Sequence, residues 1–108
     1  ENYPTHELGP IAQILGINRG NRMVSLTSMA SKAAGLHHYI EKEKSEDQEL
    51  MQMAFHQGDI VTTLIQCANG ETITLKLDTT LPRYYSRGFY IQGTKGLFNE
   101  ENGSVFLE

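Results

Sequence analysis

Residues 59–80 read DIVTTLIQCANGETITLKLDTT: two runs rich in β-branched side chains around the pair Asn69-Gly70. Asn and Gly tolerate the positive φ that a tight hairpin turn needs, so the stretch predicts an antiparallel hairpin. In its second run Ile73, Leu75 and Leu77 alternate with Thr72, Thr74, Lys76 and Asp78. Successive strand residues point to opposite sides, which gives a sheet with one apolar face and one polar face. Downstream, GFYIQGTKG (88–96) and GLFNEENGSVFLE (96–108) predict two or three further strands, punctuated by Gly93, Gly96 and a second hairpin turn at Asn102-Gly103. Upstream, RMVSLTSMAS (22–31) reads as a strand diluted by serines, after the turn signal NRGN.

The remaining segments read as helix. Leu8, Ile11, Ile14 and Leu15 form a helical stripe, with Pro10 placed in a first turn and Gly16 as the stop. Residues 32–55 read as a helix or broken helix, with EKEKSEDQE (41–49) a solvated charged stretch. Strands that do not alternate regularly with helices imply an α+β fold: an open-faced, mostly antiparallel sheet with helices packed on one face.

Composition narrows the function. The 108 residues make one domain, 39% apolar and 20% charged, with no apolar run long enough for a membrane span. A net charge of −4 without a cluster of Lys and Arg argues against nucleic acid. Cys67 is the only cysteine and lies in an apolar run, so it reads as a small core hydrophobe rather than a metal or redox ligand. No GxGxxG, P-loop or HExxH motif occurs, and no signal peptide pattern opens the chain. The compartment stays open.

Two stretches concentrate chemistry. In YPTH (3–6), one helical turn would put the Tyr3 phenol and the His6 imidazole on the same face. An imidazole can exchange a proton near neutral pH and a phenol both donates and accepts hydrogen bonds. Spacing alone fits two side chains facing water better than it fits a site. In LPRYYSRG (81–88), Arg83, Tyr84, Tyr85, Ser86 and Arg87 crowd a loop after a strand, a composition suited to a sugar's ring face and hydroxyls. It suits equally a turn with two surface arginines and one anchoring tyrosine. His37, His38 and His56 read as structural or exposed, and the carboxylates of residues 41–49 as a solvated face.

YPTHELGPIAQILGINRGNR, VSLTSMASK, GDIVTTLIQCANGETI and DTTLPRYYSRGFYIQGTKG together resemble the C-terminal substrate domain of the family 109 glycoside hydrolases. These are NAD-dependent α-N-acetylgalactosaminidases within the glucose-fructose oxidoreductase and inositol dehydrogenase superfamily. The likeness covers nearly the whole chain and is weakest over residues 36–56. It implies that residues 1–108 are a substrate-binding and oligomerisation domain, inactive alone, with NAD held by an upstream Rossmann domain and a homo-oligomer formed through the open sheet face. It implies a carbohydrate partner, cleaved by transient oxidation and elimination; a sugar dehydrogenase of the same superfamily is the alternative. Carried over by motif, Tyr3, Pro4, Thr5 and His6 are substrate-binding, Tyr3 and His6 contact the sugar, His6 is the candidate proton carrier, and Tyr85 is a further sugar contact. Two departures fall beside them: Glu7 where the family's pattern has glycine, and Tyr84 where it has proline.

Overall fold

The computed structural model describes residues 4–108, as α1 (Thr5–Ile14), β1 (Met23–Ala30), α2 (Gly35–Glu43), α3 (Gln48–Gln52), β2 (Ile60–Cys67), β3 (Thr72–Asp78), β4 (Tyr90–Gln92), β5 (Gly96–Asn99) and β6 (Ser104–Leu107). The expected hairpin is β2 and β3, antiparallel, with Ile65 opposite Ile73 and Thr63 opposite Leu75. Its turn closes through the Gly70 N–H, which donates to the Cys67 carbonyl at 3.0 Å. Gly70 stands at φ 99°, where a side chain would be strained. β1 pairs antiparallel with the other edge of β2, Leu26 opposite Ile65, so the order is β1-β2-β3.

The period of two carries Ile65, Cys67 and Ile73 onto one face, where they are buried, and Leu8, Ile11, Leu15 and Ile17 pack against them. The helix-on-one-face arrangement expected from the alternation is therefore present: α1 covers the apolar side. On the opposite side Thr62, Leu64, Thr74 and Lys76 are exposed. Buried Asn21 ties this unit together. Its amide donates to the Leu15 carbonyl at the end of α1 at 2.9 Å and to the Glu71 carboxylate at 3.1 Å. Its side-chain oxygen accepts from the Asn69 N–H in the hairpin turn at 3.0 Å. One side chain thus fixes the helix against the hairpin, its polar atoms satisfied as burial requires.

Two features differ from the sequence reading, the place of Pro10 and the division of the sheet, and one alternative it left open is decided. α1 begins at Thr5 with Pro4 as its cap, so Pro10 lies in the helix interior rather than its first turn; proline has no N–H to give the carbonyl four residues back. The helical reading of residues 32–55 resolves as a broken helix: α2 ends at Glu43, and α3 restarts where the Asp47 side chain accepts from the Leu50 N–H at 3.1 Å. The last three strands form a sheet of their own, β4-β5-β6, antiparallel throughout. Residues 79–89 separate the two sheets, and Pro82 there carries no N–H for a ladder. The α+β class with open antiparallel sheets holds; the strands divide between two sheets.

Candidate functional site

The helix α1 brings His6, Glu7 and Pro10 to one side, since residues three and four apart share a helical face. Facing it is the 81–88 loop, which has no regular structure and is held by its own polar contacts. Arg83 Nη1 donates to the carbonyls of Tyr84 and Ser86, each at 3.2 Å, while its Nε lies 3.7 Å from Asp78 Oδ2. The Ser86 hydroxyl donates to Glu101 Oε1 at 2.7 Å and accepts from the Gly88 N–H at 2.9 Å. Gly88 takes φ 60° to make that return. The loop is thereby fastened to the turn between β5 and β6, and Tyr85 is left 82% exposed between fixed neighbours.

Arg87 joins loop to helix. Its Nε donates to the Tyr85 hydroxyl at 3.3 Å and stands 3.9 Å from Glu7 Oε1 on α1. The Tyr85 hydroxyl first, then the Glu7 and Glu100 carboxylates, raise the affinity of the guanidinium for its proton, so Arg87 is a fixed cation. Pro10, Tyr85, Arg87, Phe89 and Glu100 line an open cavity of about 450 Å³ at this junction. That volume lies within the range of small-molecule sites. Glu100 Oε2 is buried and has no hydrogen-bond partner among the described residues.

The residues expected from the sequence fall as follows. Pro4 caps α1, Thr5 opens it, and His6 lies exposed in its first turn. Tyr85 lies on the loop facing that helix; Tyr3 is outside the described residues. Glu7, one of the two departures, supplies the carboxylate that reaches Arg87, and Tyr84, the other, donates from its hydroxyl to Glu101 Oε1 at 3.4 Å. Sequence reading missed Phe89 and Glu100, because neither carries a local signal and they meet Pro10 and Tyr85 only through the fold.

Elsewhere, Asp59 is buried and accepts from the Ala34 and Gly35 N–H groups at 3.0 and 2.9 Å and from the Thr80 hydroxyl at 2.8 Å. It anchors the start of the 81–88 loop to α2. A second cavity of about 420 Å³ lies beside α2 and includes His37, His38, Glu41 and Met53. His37 Nε2 and Glu41 Oε1 are 3.2 Å apart as an exposed pair one turn apart. Among the described residues no group of three His, Cys, Asp or Glu is placed to hold a metal ion, and no helix is long and apolar enough to cross a membrane. Cys67 is buried as expected, and burial, then Glu71, pushes its thiol pKa up, which keeps it an inert core group.

The chain is thus an α+β sheet domain with an aromatic and guanidinium cleft at its helix-loop junction. The match extends over residues 1–108 to the family described as Glycosyl hydrolase 109, C-terminal domain, and the chain belongs to it. It is 49% identical over 106 residues to a protein of Tannerella forsythia named Alpha-N-acetylgalactosaminidase, covering 98% of this chain and 23% of that one. It is 47% identical over 106 residues to a Glycosyl hydrolase family 109 protein of Parabacteroides distasonis, with the same 98% and 23% coverage. With another of that name from Stenotrophomonas maltophilia it shares 50% over 109 residues, 100% of this chain and 24% of the relative. The chain thus spans about a quarter of the length of these relatives.

Proposed function

We propose that the chain is the sugar-facing domain of an α-N-acetylgalactosaminidase that works with NAD held by an upstream Rossmann domain of the full protein. The observation that carries this reading is the Glu7–Arg87–Tyr85 bridge, which sets the helix bearing His6 against the loop bearing Tyr85. Support also comes from the relative of that name in Tannerella forsythia. With Arg87 donating to its oxygen, the Tyr85 hydroxyl keeps its own hydrogen to donate to a sugar oxygen. His6, exposed one turn from Pro10, is the group of this set whose type takes up and returns a proton near neutral pH.

No glycine-rich turn from strand to helix occurs among the described residues, and Pro4, which has no N–H to offer a phosphate, caps α1, so no dinucleotide site is assigned to them. When bound by the rest of the protein, NAD supplies the transient oxidation that makes a paired-carboxylate mechanism unnecessary. The residues of this chain orient the sugar and handle a proton.

Assay of the full-length protein on an aryl α-N-acetylgalactosaminide tests the reading. His6→Ala is expected to lower kcat by on the order of 10²-fold or more, the usual share of a general acid or base. Turnover undiminished in His6→Ala overturns the role of that residue, and no turnover by the unmutated protein overturns the activity. Net NAD reduction with a free sugar, without bond cleavage, identifies a dehydrogenase instead.

A further inference from the structure

We infer that Asp78 and Arg83 form a clamp that aims Tyr85 at the sugar, and that Arg83 is thereby a positioning residue for the reaction. The inference rests on the glycosidase reading above and extends it to residues behind the loop. Arg83 Nη1 donates to the Tyr84 and Ser86 carbonyls, each at 3.2 Å. Those carbonyls belong to the residues on either side of Tyr85, so the two bonds fix the backbone that carries its side chain. Tyr85 is mostly exposed, with little packing around its ring to set a direction. Where the ring points is therefore decided by its backbone, which limits the rotamers open to it.

Asp78 ties the clamp to the sheet. It is the last residue of β3, opposite Ile60, and its Oδ2 stands 3.7 Å from Arg83 Nε. Its Oδ1 is buried and has no hydrogen-bond partner among the described residues. A carboxylate so placed depends on an opposing cation, which the guanidinium supplies. The fork shape matters as much as the charge. Its donors diverge in one rigid plane, so Nε faces the carboxylate while Nη1 serves two carbonyls. A lysine gathers its donors on one nitrogen and lacks that reach.

The same strand also locates His6. Ile73 of β3 belongs to the core cluster against which Leu8 and Ile11 of α1 pack, and the first turn of α1 bears His6. Tyr85 and His6 are thus both referred to β3, one through Arg83 and Asp78, the other through the apolar face of α1. A misplacement of about 1 Å between groups that meet one substrate can cost about 10²-fold. That is the scale on which a loosened loop is felt.

The test follows kcat and KM of the full-length protein on an aryl α-N-acetylgalactosaminide, with circular dichroism matching the unmutated protein to certify each variant. Arg83→Gln is expected to raise KM about tenfold with kcat within about twofold, and Arg83→Lys, which keeps the charge without the fork, to do the same. Asp78→Asn keeps the shape and loses the charge, and is expected to raise KM in the same direction; an unchanged KM there overturns the part of Asp78. With the Tyr85 side chain gone the clamp has nothing to aim. Adding Arg83→Gln to Tyr85→Ala is therefore expected to change KM by less than about twofold. Full additivity of that pair, or an Arg83→Lys protein equal to the unmutated one, overturns the inference while the glycosidase reading stands. A Tyr85→Ala protein with unchanged KM overturns it as well. Should the unmutated protein leave the aryl substrate intact, the glycosidase reading fails, and fluorine NMR of 3-fluorotyrosine in place of Tyr85 then decides the clamp separately. In Arg83→Gln the resonance is expected to narrow and move towards its position in the urea-unfolded protein; a resonance equal to that of the unmutated protein overturns the clamp.

Discussion

Asp59 spreads its two carboxylate oxygens over three donors, the Ala34 and Gly35 N–H groups and the Thr80 hydroxyl. Gly35 leaves room for this: a Cβ there would stand 2.7 Å from the Thr80 carbonyl oxygen and 3.1 Å from Asp59 Oδ1. The Gly35 bond, then the Thr80 bond, favours the ionised carboxyl and holds Asp59 below the usual carboxylate range. A lowered folded pKa contributes stability that is fully present above the unfolded value near 3.9 and is lost as pH falls through the folded value. Asp59→Asn presents an amide hydrogen to a backbone donor and is expected to destabilise the full protein at pH 7. Urea midpoints should show the gap between variant and unmutated protein closing below about pH 4; a gap of constant size would remove the carboxylate's role. In the sequence Asp59 is only the residue before a β-branched run. Its burial arises because α2 starts there, 24 residues away in the chain.

At the scale of elements, the β2–β3 pairing and the apolar face of its hairpin were legible because strand alternation is a local property of the chain. Ile73 and Thr74 adjoin in β3 but point to opposite faces, Ile73 into the core and Thr74 into the open. Ile73→Ala is therefore expected to cost about 2–4 kcal/mol, whereas Thr74→Ala is expected to stay within about 0.5 kcal/mol. Urea unfolding of the full protein, followed by hydrogen exchange at β2 and β3 amides, measures both. The separate β4-β5-β6 sheet was less legible. Gly96, read from sequence as punctuation, begins β5, where a Cβ would collide with the Phe106 carbonyl oxygen of β6. A close approach of two backbones leaves the same glycine in the sequence as a turn does.

Over the whole molecule, the radius of gyration is 17.8 Å, against about 13 Å for a compact chain of this size. The accessible surface of 8433 Å² exceeds the roughly 6,000 Å² typical of a folded monomer of 12.1 kDa. Leu64, on the open face of the first sheet, is 50% exposed, and Met29 on the same face is 77% exposed. We propose this face as a homo-oligomer contact of the full protein. Leu64→Asp, which places a charge at its centre, is expected to yield a smaller species in sedimentation velocity than the unmutated protein. A full protein that is already monomeric would remove the interface.

The sequence by itself determined the hairpin, the polar and apolar sides of its sheet, the α+β class and the two stretches rich in chemistry. These follow from alternation, turn residues and motifs, all written in neighbouring positions. Tertiary structure alone decided that Glu7 meets Arg87 across 80 positions, that Glu100 lines the cavity beside Tyr85, and that Asp59 fastens the loop bearing Tyr85 to α2. Those contacts join residues far apart in the chain, where no local periodicity records which side chain will meet which.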